Sequence, residues 1–344
     1  MKNWNQAFQL AAVYVGTVVG AGFATGKEIV EFFTRFGFIG FISILMSGYL
    51  FIIMGSKMMI KAQEINAKSF EDFQTYLFGP FFGKVMNGLV LLMLLGVTSV
   101  MLSGAGAVFE EQLYLPKTLG IGLTILLGYI VILVGTKGLF MVNSFVVPIM
   151  IIFNFLIMIK SVTTDGFIGE FMWIPHAEDG WKVVVAPFSY TAFNLAMAQA
   201  VLVPIAAQIK DRTTIRLGGL IGGAFLTLIL LSIHFTLIML PNLETYEIPM
   251  AAVMQLIGGG FYWLYVVIIY GEIFTSVIGG VFGLEQQAMT HVKINRSVVL
   301  LILFATMYII SRVDYSELLS YLYPLFGNVS LIFIVLLWMK KESG

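Results

Sequence analysis

The chain has 344 residues, of which 59% are apolar and 11% charged, with a mean hydropathy of +0.95 and a formal net charge of zero. This composition excludes a water-soluble globular protein and indicates an integral membrane protein. The sequence contains no cysteine, which excludes disulfides and thiolate metal sites, and its three histidines lack metal-ligand spacing.

Apolar segments of about 20 residues can cross the hydrocarbon core of a bilayer, which is about 30 Å thick. In chain order the sequence predicts about ten such helices, near residues 7–33, 40–60, 85–107, 119–134, 139–159, 183–209, 217–240, 261–285, 297–311 and 320–339. The predicted fold is therefore all-α and polytopic, with a single membrane domain over residues 1–344. About 13 basic residues gather on one side against about 6 on the other. The positive-inside rule then places both termini in the cytoplasm of a bacterial plasma membrane.

The ten predicted spans divide into two sets of five that start at an offset of about 176 to 181 residues. The long loops 66–79 and 246–259 each hold a short amphipathic stretch at the same relative position. Five is an odd number, so the second set would cross the membrane in the opposite direction. We therefore expect inverted repeats over 1–160 and 183–344, joined by an extracellular connection at 161–182. Chance regularity among short loops is the alternative explanation.

The first predicted span contains three glycines, Gly16, Gly20 and Gly22. Glycine lowers helix propensity by about 1 kcal/mol relative to alanine and tolerates unusual backbone angles. This pattern predicts a helix break near Gly20-Ala21-Gly22, whose free N–H groups would suit an anionic group. The alternative is that Gly16 and Gly20 form a small-residue surface for helix packing.

The sixth predicted span contains Pro187, which removes one helical hydrogen bond and disfavours helix at the preceding residue. Ser189, Tyr190 and Thr191 follow and can satisfy freed backbone groups. These features predict a second break, with Asn194 one turn beyond. The alternative is that Tyr190 and Asn194 only form hydrogen bonds between helices.

Two further groups of polar residues stand out. Glu272 lies near the middle of the eighth span, with Thr275 and Ser276 on an adjoining part of the same helical face. Intramembrane carboxylates are costly and are usually functional; the hydroxyls could instead bond back to the preceding turn. Near the outer end of span 1 we expect a solvated vestibule face with i,i+4 pairing, formed by Lys27, Glu28, Glu31 and Arg35. His234 and Asn154 are interpreted as ordinary hydrogen-bonding residues.

With broken spans at matching positions, the chain resembles the amino acid–polyamine–cation superfamily, which has the LeuT-type 5+5 inverted-repeat fold. More narrowly it resembles YkvI-like bacterial membrane proteins, over essentially its whole length. The resemblance implies a secondary carrier that moves a small polar solute, an amino acid or related amine, by alternating access, without enzymatic activity. The implied substrate-binding residues are Gly20, Ala21, Gly22, Ser189, Tyr190, Thr191 and Asn194.

The resemblance also implies a cation-coupling site. In sodium-coupled carriers of this type, carbonyls of spans 1 and 8 and two hydroxyls of span 8 hold one ion. The matching positions are Gly16, Val19, Glu272, Thr275 and Ser276. Phe23 stands where such carriers have an asparagine beside a second ion, so no second ion is expected. Because Glu272 carries a carboxyl group that can bind and release a proton, proton coupling is the alternative.

Apart from the solute, the coupling ion and the lipid, the sequence predicts no cofactor and no nucleic-acid partner. It has no phosphate-binding loop and no grouped acid, base and nucleophile. The rival to a carrier is a ligand sensor or assembly subunit that keeps this fold without flux, as spore germinant receptor subunits do. A sensor would bind its ligand without a coupling ion, whereas a carrier accumulates solute in vesicles.

Overall fold

The computed structural model describes residues 4–134, 136–174, 180–257, 259–291 and 294–340, and within them all regular structure is helical. The helices of the first half are α1 Trp4–Val18, α2 Ala21–Thr25, α3 Lys27–Phe32, α4 Gly37–Leu50, α5 Ser56–Glu64, α6 Phe70–Leu113, α7 Lys117–Val134, α8 Thr136–Val162 and α9 Phe167–Phe171. Those of the second half are α10 Gly180–Ala207, α11 Arg212–Leu237, α12 Pro249–Ile257, α13 Tyr262–His291, α14 Arg296–Ile310 and α15 Tyr315–Met339.

Helices lie at every segment that the apolar pattern predicts. Within the described residues, six helical stretches are long and apolar enough to cross a membrane, namely Lys27–Glu64, Phe70–Leu113, Gly180–Ala207, Arg212–Leu237, Tyr262–Met289 and Tyr315–Met339. Three more apolar helices are shorter, namely Lys117–Leu133, Pro148–Val162 and Arg296–Ile310. The all-helical polytopic class is confirmed, while the count of ten spans and the sidedness stay predictions. Of the predicted connection 161–182, residues 175–179 lie outside the described ranges.

Both predicted amphipathic stretches form short helices. The first turns of α6 follow the N-cap residue Ser69, whose hydroxyl accepts a hydrogen bond from the Asp72 N–H. They end at Gly79, where a positive φ (φ 80°, ψ 170°) interrupts the helical backbone before Pro80. The second is α12, which begins 179 residues after the start of α6. The matching positions agree with the predicted offset. The division into two inverted repeats stays a prediction.

The predicted break in span 1 is present. The α1 helix ends at Val18, and Gly20 has an extended backbone (φ −149°, ψ −163°) before the five residues of α2. A second interruption follows at Gly26, which is left-handed (φ 79°). A Cβ there would lie 2.7 Å from Met250 Cγ, so glycine is required both for the backbone angle and for space. Span 1 therefore consists of three helical pieces that meet at two glycines.

The predicted break in span 6 is wrong. The α10 helix runs from Gly180 to Ala207 through Pro187. A proline at position 187 leaves the carbonyl of Val183, four residues earlier, without its helical donor. The Ser43 hydroxyl on α4 donates to that carbonyl at 3.3 Å. Because a neighbouring helix supplies the missing hydrogen bond, α10 does not need to unwind.

Close packing holds the broken span in position. On α11, Gly218 and Gly222 let the Leu10 and Tyr14 side chains of α1 approach the backbone. The Tyr14 hydroxyl donates to the Phe51 carbonyl at 2.9 Å, at the start of a π-helical turn between α4 and α5. Beyond the break, α2 packs against α13, and α10 packs against α15. The break in span 1 therefore lies among α10, α13 and α15.

Candidate functional site

The centre of the site is the Glu28 carboxyl group, and its position corrects the sequence-based expectation. The predicted vestibule face is buried here, since Lys27 is 3% and Glu28 5% exposed. The Glu28 side chain turns back toward the break, and its Oε2 atom occupies the place where a Cβ at Gly22 would stand. The left-handed turn at Gly26 reorients α3 relative to α2 and so aims Glu28 inward. The i,i+4 ion pair of Glu31 with Arg35 is present, at 3.1 Å.

Two residues of α10 face this carboxyl group. The Tyr190 hydroxyl and the Asn194 amide both lie against Glu28. The Tyr190 ring is held by edge contacts with Phe32 and Phe33, with ring centroids 5.1 and 4.8 Å away. Within the described residues, neither Glu28 Oε1 nor the Tyr190 hydroxyl completes a hydrogen bond of standard geometry. The site therefore presents a buried carboxyl group whose Oε1 atom lacks a donor of standard geometry.

Two tyrosines of α15 complete the surroundings of Glu28. Tyr315 and Tyr323 are buried close enough to interact electrostatically with the Glu28 carboxyl group. The Tyr315 hydroxyl forms a 2.8 Å hydrogen bond with Thr25 Oγ1 on α2. The Tyr323 ring lies 5.0 Å from that of Phe193 on α10. Sequence analysis missed both tyrosines because nothing in the order of residues along α15 indicates which face meets the break.

The remaining predicted residues of span 6 are engaged within the helix bundle. The Ser189 hydroxyl donates to Val185 and Ala186 carbonyls at 3.2 and 3.3 Å. Thr191 Oγ1 donates to the Pro187 carbonyl at 2.8 Å. The structure thus brings Tyr190 and Asn194 to the break, while the Ser189 and Thr191 hydroxyls satisfy backbone carbonyls beside the proline.

The basic side chains closest to Glu28 in the sequence, Lys27 and Arg35, are bound elsewhere. Lys27 Nζ donates to the Glu244 and Tyr246 carbonyls at 2.7 and 2.8 Å, which joins α3 to the segment before α12. Arg35 forms its ion pair with Glu31. Among the described residues, no basic side chain acts on the Glu28 carboxyl group. The carboxyl group is therefore buried without a protein counter-charge.

Of the predicted ion-binding residues on α13, Ser276 meets the break in span 1. Ser276 Oγ on α13 accepts a hydrogen bond from the Ala21 N–H at 3.2 Å, and it lies 3.4 Å from the position of a Cβ on Gly20. Thr275 Oγ1 donates to the Glu272 carbonyl at 3.0 Å, the back-bonding contact of a helical threonine. Apart from the neighbouring residues and the backbone of α1 itself, no atom lies within 4 Å of the position of a Cβ on Gly16. The hydroxyl that meets the break is thus Ser276.

Glu272 lies on α13 beside a second buried polar group. The residue is 1% exposed, and its Oε1 atom has no hydrogen-bond partner among the described residues. Tyr265, two helical turns earlier on the same face, interacts with the Glu272 carboxyl group and donates to Asn154 Oδ1 at 2.8 Å. His234 Nδ1 lies 3.2 Å from Thr34 Oγ1. Asn154 and His234 are therefore hydrogen-bonding residues, as predicted.

Hydrogen bonds close one end of the bundle, beyond α3. Glu111 at the end of α6 accepts from the backbone N–H groups of Glu247 and Ile248 at 2.9 and 3.1 Å. Glu247 Oε2 accepts from the Ser316 N–H at 2.7 Å at the start of α15. Together with the Lys27 contacts, these bonds join α3, α6, α12 and α15. The predicted topology makes this the extracellular end.

The opposite side of the break is more open. Gly16, Gly20, Ser276 and Gly279 are all partly exposed, and no atom lies within 4 Å of a Cβ at either Gly16 or Gly279. Gly16 on α1 lies one turn before Gly20, and Gly279 on α13 lies one turn after Ser276, so both lie farther along their helices from the closed end. These four residues form a partly exposed surface of α1 and α13 beside the break, here called the cleft.

Within the described part of the chain, no group of three or more histidine or acidic residues could hold a metal ion. A cavity of about 360 Å³ lies away from the break, between α8 and α12, where Phe153, Ile157, Met254 and Phe261 line it with apolar surface. This apolar lining contrasts with the polar groups at the break in span 1 and on the facing part of α13.

Comparison with solved structures identifies the class of fold. The manganese transporter of Eremococcus coleocola matches with a TM-score of 0.62 at 16% sequence identity, over 98% of this chain and 79% of that one. Mhp1, a nucleobase-cation-symport-1 family transporter solved with bromovinylhydantoin bound, matches with a TM-score of 0.60 at 11% identity, over 92% of this chain and 74% of that one. The chain therefore has the LeuT-type fold of membrane transporters.

Sequence comparison identifies the family. The uncharacterized membrane protein YkvI of Bacillus subtilis (strain 168) is 47% identical over 97% of this chain and 96% of its own length. The protein YyaD of the same organism is 25% identical over the same shares of the two chains. No family model matches the sequence. The chain belongs to the YkvI family of bacterial membrane proteins.

Proposed function

We propose that the protein is a secondary active transporter that moves a small polar solute, an amino acid or related amine, by alternating access. The observation that carries the proposal is the interrupted span 1, because non-helical backbone at membrane depth is tolerated only where it lines a cavity or a binding site. The break lies in a LeuT-type fold with one end of the bundle closed by hydrogen bonds and the other side partly open. This asymmetry is what an alternating-access carrier has in one of its two end states.

The solute site of this proposal is centred on the backbone of Gly20, Ala21 and Gly22 and on the facing side chains of Tyr190 and Asn194. The structure favours these five because each lies at the break or against the carboxyl group that faces it. Ser189 and Thr191, which the sequence also indicated, bond to carbonyls of α10. They would support the helix beside the site.

Coupling to a cation gradient is the second part of the proposal, with sodium favoured and a proton as the alternative. Backbone and hydroxyl oxygens suit a hard cation. The Ser276 hydroxyl lies at the break, where it accepts from the Ala21 N–H. The proposed ligands are the backbone of Gly16 and Val19 together with Glu272, Thr275 and Ser276 on α13. The Glu272 carboxyl group, buried with one unpartnered oxygen, supports the proton alternative.

The test is accumulation of radiolabelled solutes by purified protein in sealed proteoliposomes, with imposed sodium or proton gradients. A carrier accumulates its solute above the equilibrium level and loses this ability when the gradient is collapsed. Thr275→Ala should reduce a sodium-driven signal, whereas Glu272→Gln should reduce a proton-driven signal. Binding without accumulation under any gradient would contradict the proposal and favour a ligand sensor.

A further inference from the structure

We propose that Glu28 binds the ammonium group of the transported solute, so that the substrates are organic amines whose positive charge pairs with this carboxylate. The inference rests on the proposed transport function and assigns the chemistry of its solute site. It departs from the expectation that the glycines of span 1 bind a solute carboxylate, because the protein's own carboxyl group already lies against Gly22.

The first argument is the missing counter-charge. Glu28 is 5% exposed and forms no ion pair with a described residue, and one of its oxygens lacks a hydrogen-bond donor. A buried carboxylate without a partner is strongly unfavourable, so the site is stable only when a cation or a proton neutralises it. An ammonium ion that enters the cleft supplies both the charge and the missing donors.

The second argument is the match between an ammonium ion and the groups around Glu28. An ammonium has three donors, and here the Glu28 Oε1 atom, which lacks a donor of standard geometry, and the Tyr190 hydroxyl, which contacts Glu28, lie in one place. The buried Tyr190, Tyr315 and Tyr323 hydroxyl groups lie close enough to interact with the same carboxyl group. Hydroxyl oxygens are hydrogen-bond acceptors, which suit the donors of an ammonium ion.

The third argument is the charge of the closed end. Four carboxylates, Glu31, Glu111, Glu244 and Glu247, lie near enough to act on the Lys27 ammonium group. The backbone carbonyls that bind Lys27 Nζ show that this part of the protein accommodates an ammonium group among oxygen acceptors. An excess of negative charge beside a site attracts cationic solutes and repels anionic ones.

The test uses probes that share a carbon skeleton and differ in charge. Alanine carries an ammonium and a carboxylate, alaninamide carries only the ammonium, and propionate carries only the carboxylate. The larger set of leucine, leucinamide and 4-methylpentanoate covers a second size. Each is titrated against the purified full-length protein, and the shift in thermal midpoint gives its affinity.

We expect alaninamide or leucinamide to bind at least as tightly as the parent amino acid, and neither carboxylate-only probe to bind. Glu28→Gln keeps the shape of the side chain and removes its charge, so amine affinity should fall about 10- to 100-fold. Tyr190→Phe should weaken amine binding by a smaller factor. Glu170→Gln is the control, because this carboxylate is exposed on α9, and its amine affinity should stay within twofold of wild type.

Three results would overturn the assignment. These are amine binding that survives Glu28→Gln, carboxylate probes that bind as tightly as amines, and failure of both amides to bind the wild-type protein. If Glu28→Gln lowers the midpoint of the unliganded protein, Tyr190→Phe supplies the comparison in a variant that keeps the carboxylate. Flux is measured separately: amines that bind but never accumulate would contradict the transport function alone, whereas uptake that persists in Glu28→Gln would contradict this inference alone.

Discussion

The Glu28 carboxyl group lies in the space that a side chain at Gly22 would fill. This contact crosses the left-handed turn at Gly26 and ties α3 to the break in span 1. Glycine at position 22 is therefore required by packing against a charged group of the same span. Because Gly22 has no side chain, the Glu28 carboxylate can also lie close to the non-helical backbone of the break.

Gly22→Ala should destabilise the protein by about 1–3 kcal/mol, because the added methyl group overlaps with Glu28 Oε2 and forces a shift in a packed region. Combining it with Glu28→Ala should recover much of this loss, since the clashing atoms are then gone. Midpoints of chemical unfolding in detergent give both values. Gly122→Ala is the control, because no atom lies within 4 Å of a Cβ there. Equal losses in the single and double variants would contradict the assigned contact.

Ser43→Ala should destabilise the protein by about 1 kcal/mol, because the Val183 carbonyl then loses the donor that replaces the missing N–H of Pro187. In a Pro187→Ala background the helical N–H is restored, so the same substitution should cost less. A double-mutant cycle on the unfolding midpoint measures this difference as a coupling between the two positions. Independent, additive losses would show that the hydroxyl does not replace the helical donor.

Ser47→Ala is the matched control for this cycle. The Ser47 hydroxyl donates to the Pro187 carbonyl at 3.3 Å, but that carbonyl also accepts from Thr191 Oγ1 at 2.8 Å. When the Ser47 hydroxyl is removed, the Pro187 carbonyl still accepts the hydrogen bond from Thr191. The expected cost is therefore smaller than for Ser43→Ala, and it should not depend on the residue at position 187.

The two interruptions predicted from sequence had different outcomes for a physical reason. At Gly20 the interruption follows from the residue itself, because glycine weakens the helix locally and Ser276 then captures the freed Ala21 N–H. At Pro187 the sequence shows that the Val183 carbonyl loses its helical donor, but not that the hydroxyl of Ser43, 140 positions before Val183, replaces that donor. A helix break at proline thus depends on a tertiary contact that local sequence does not contain.

The buried position of Glu28 also could not be predicted from the sequence. Regular i,i+4 spacing correctly predicted the Glu31–Arg35 ion pair on α3. The same reasoning placed Glu28 on the solvated face, because it assumed a continuous helix axis. The turn at Gly26 (φ 79°) rotates α3 and directs Glu28 inward, and a glycine in a sequence does not reveal which angle it adopts. The helix positions were predictable from apolar length, whereas the contribution of Glu28, Tyr315 and Tyr323 to the site was not.

Ser276→Ala should weaken sodium binding. In the proposed coupling site this hydroxyl lies at the break, so its removal costs a ligand for the ion and the contact with the Ala21 N–H. The sodium concentration that gives half of the maximal thermal shift should rise about tenfold, which corresponds to about 1.4 kcal/mol. Thr306→Ala is the control, since that hydroxyl bonds to its own helix on α14. If the thermal midpoint does not depend on sodium concentration but changes in the Glu272→Gln variant, proton coupling is favoured instead.

Single cysteines should reveal which side of the break is open, and the absence of native cysteine makes the labelling clean. In the described structure Gly279 is partly exposed in the cleft between α1 and α13, with empty space where a Cβ would stand, whereas Thr25 is fully buried beneath the closed end. A charged, membrane-impermeant thiol reagent should therefore modify Gly279→Cys much faster than Thr25→Cys. The two modification rates are measured in sealed vesicles and compared as a ratio.

The same measurement tests the predicted sidedness of the membrane. With both termini in the cytoplasm, the cleft opens inward, so Gly279→Cys should react in inside-out vesicles and resist the reagent in right-side-out vesicles. Alternating access adds a second expectation, because a bound solute that closes the cleft should slow the labelling. Reaction from the outer side would reverse the topology that the basic residues predict, and labelling of Thr25→Cys as fast as Gly279→Cys would contradict the closure formed by Glu111, Glu247 and Lys27.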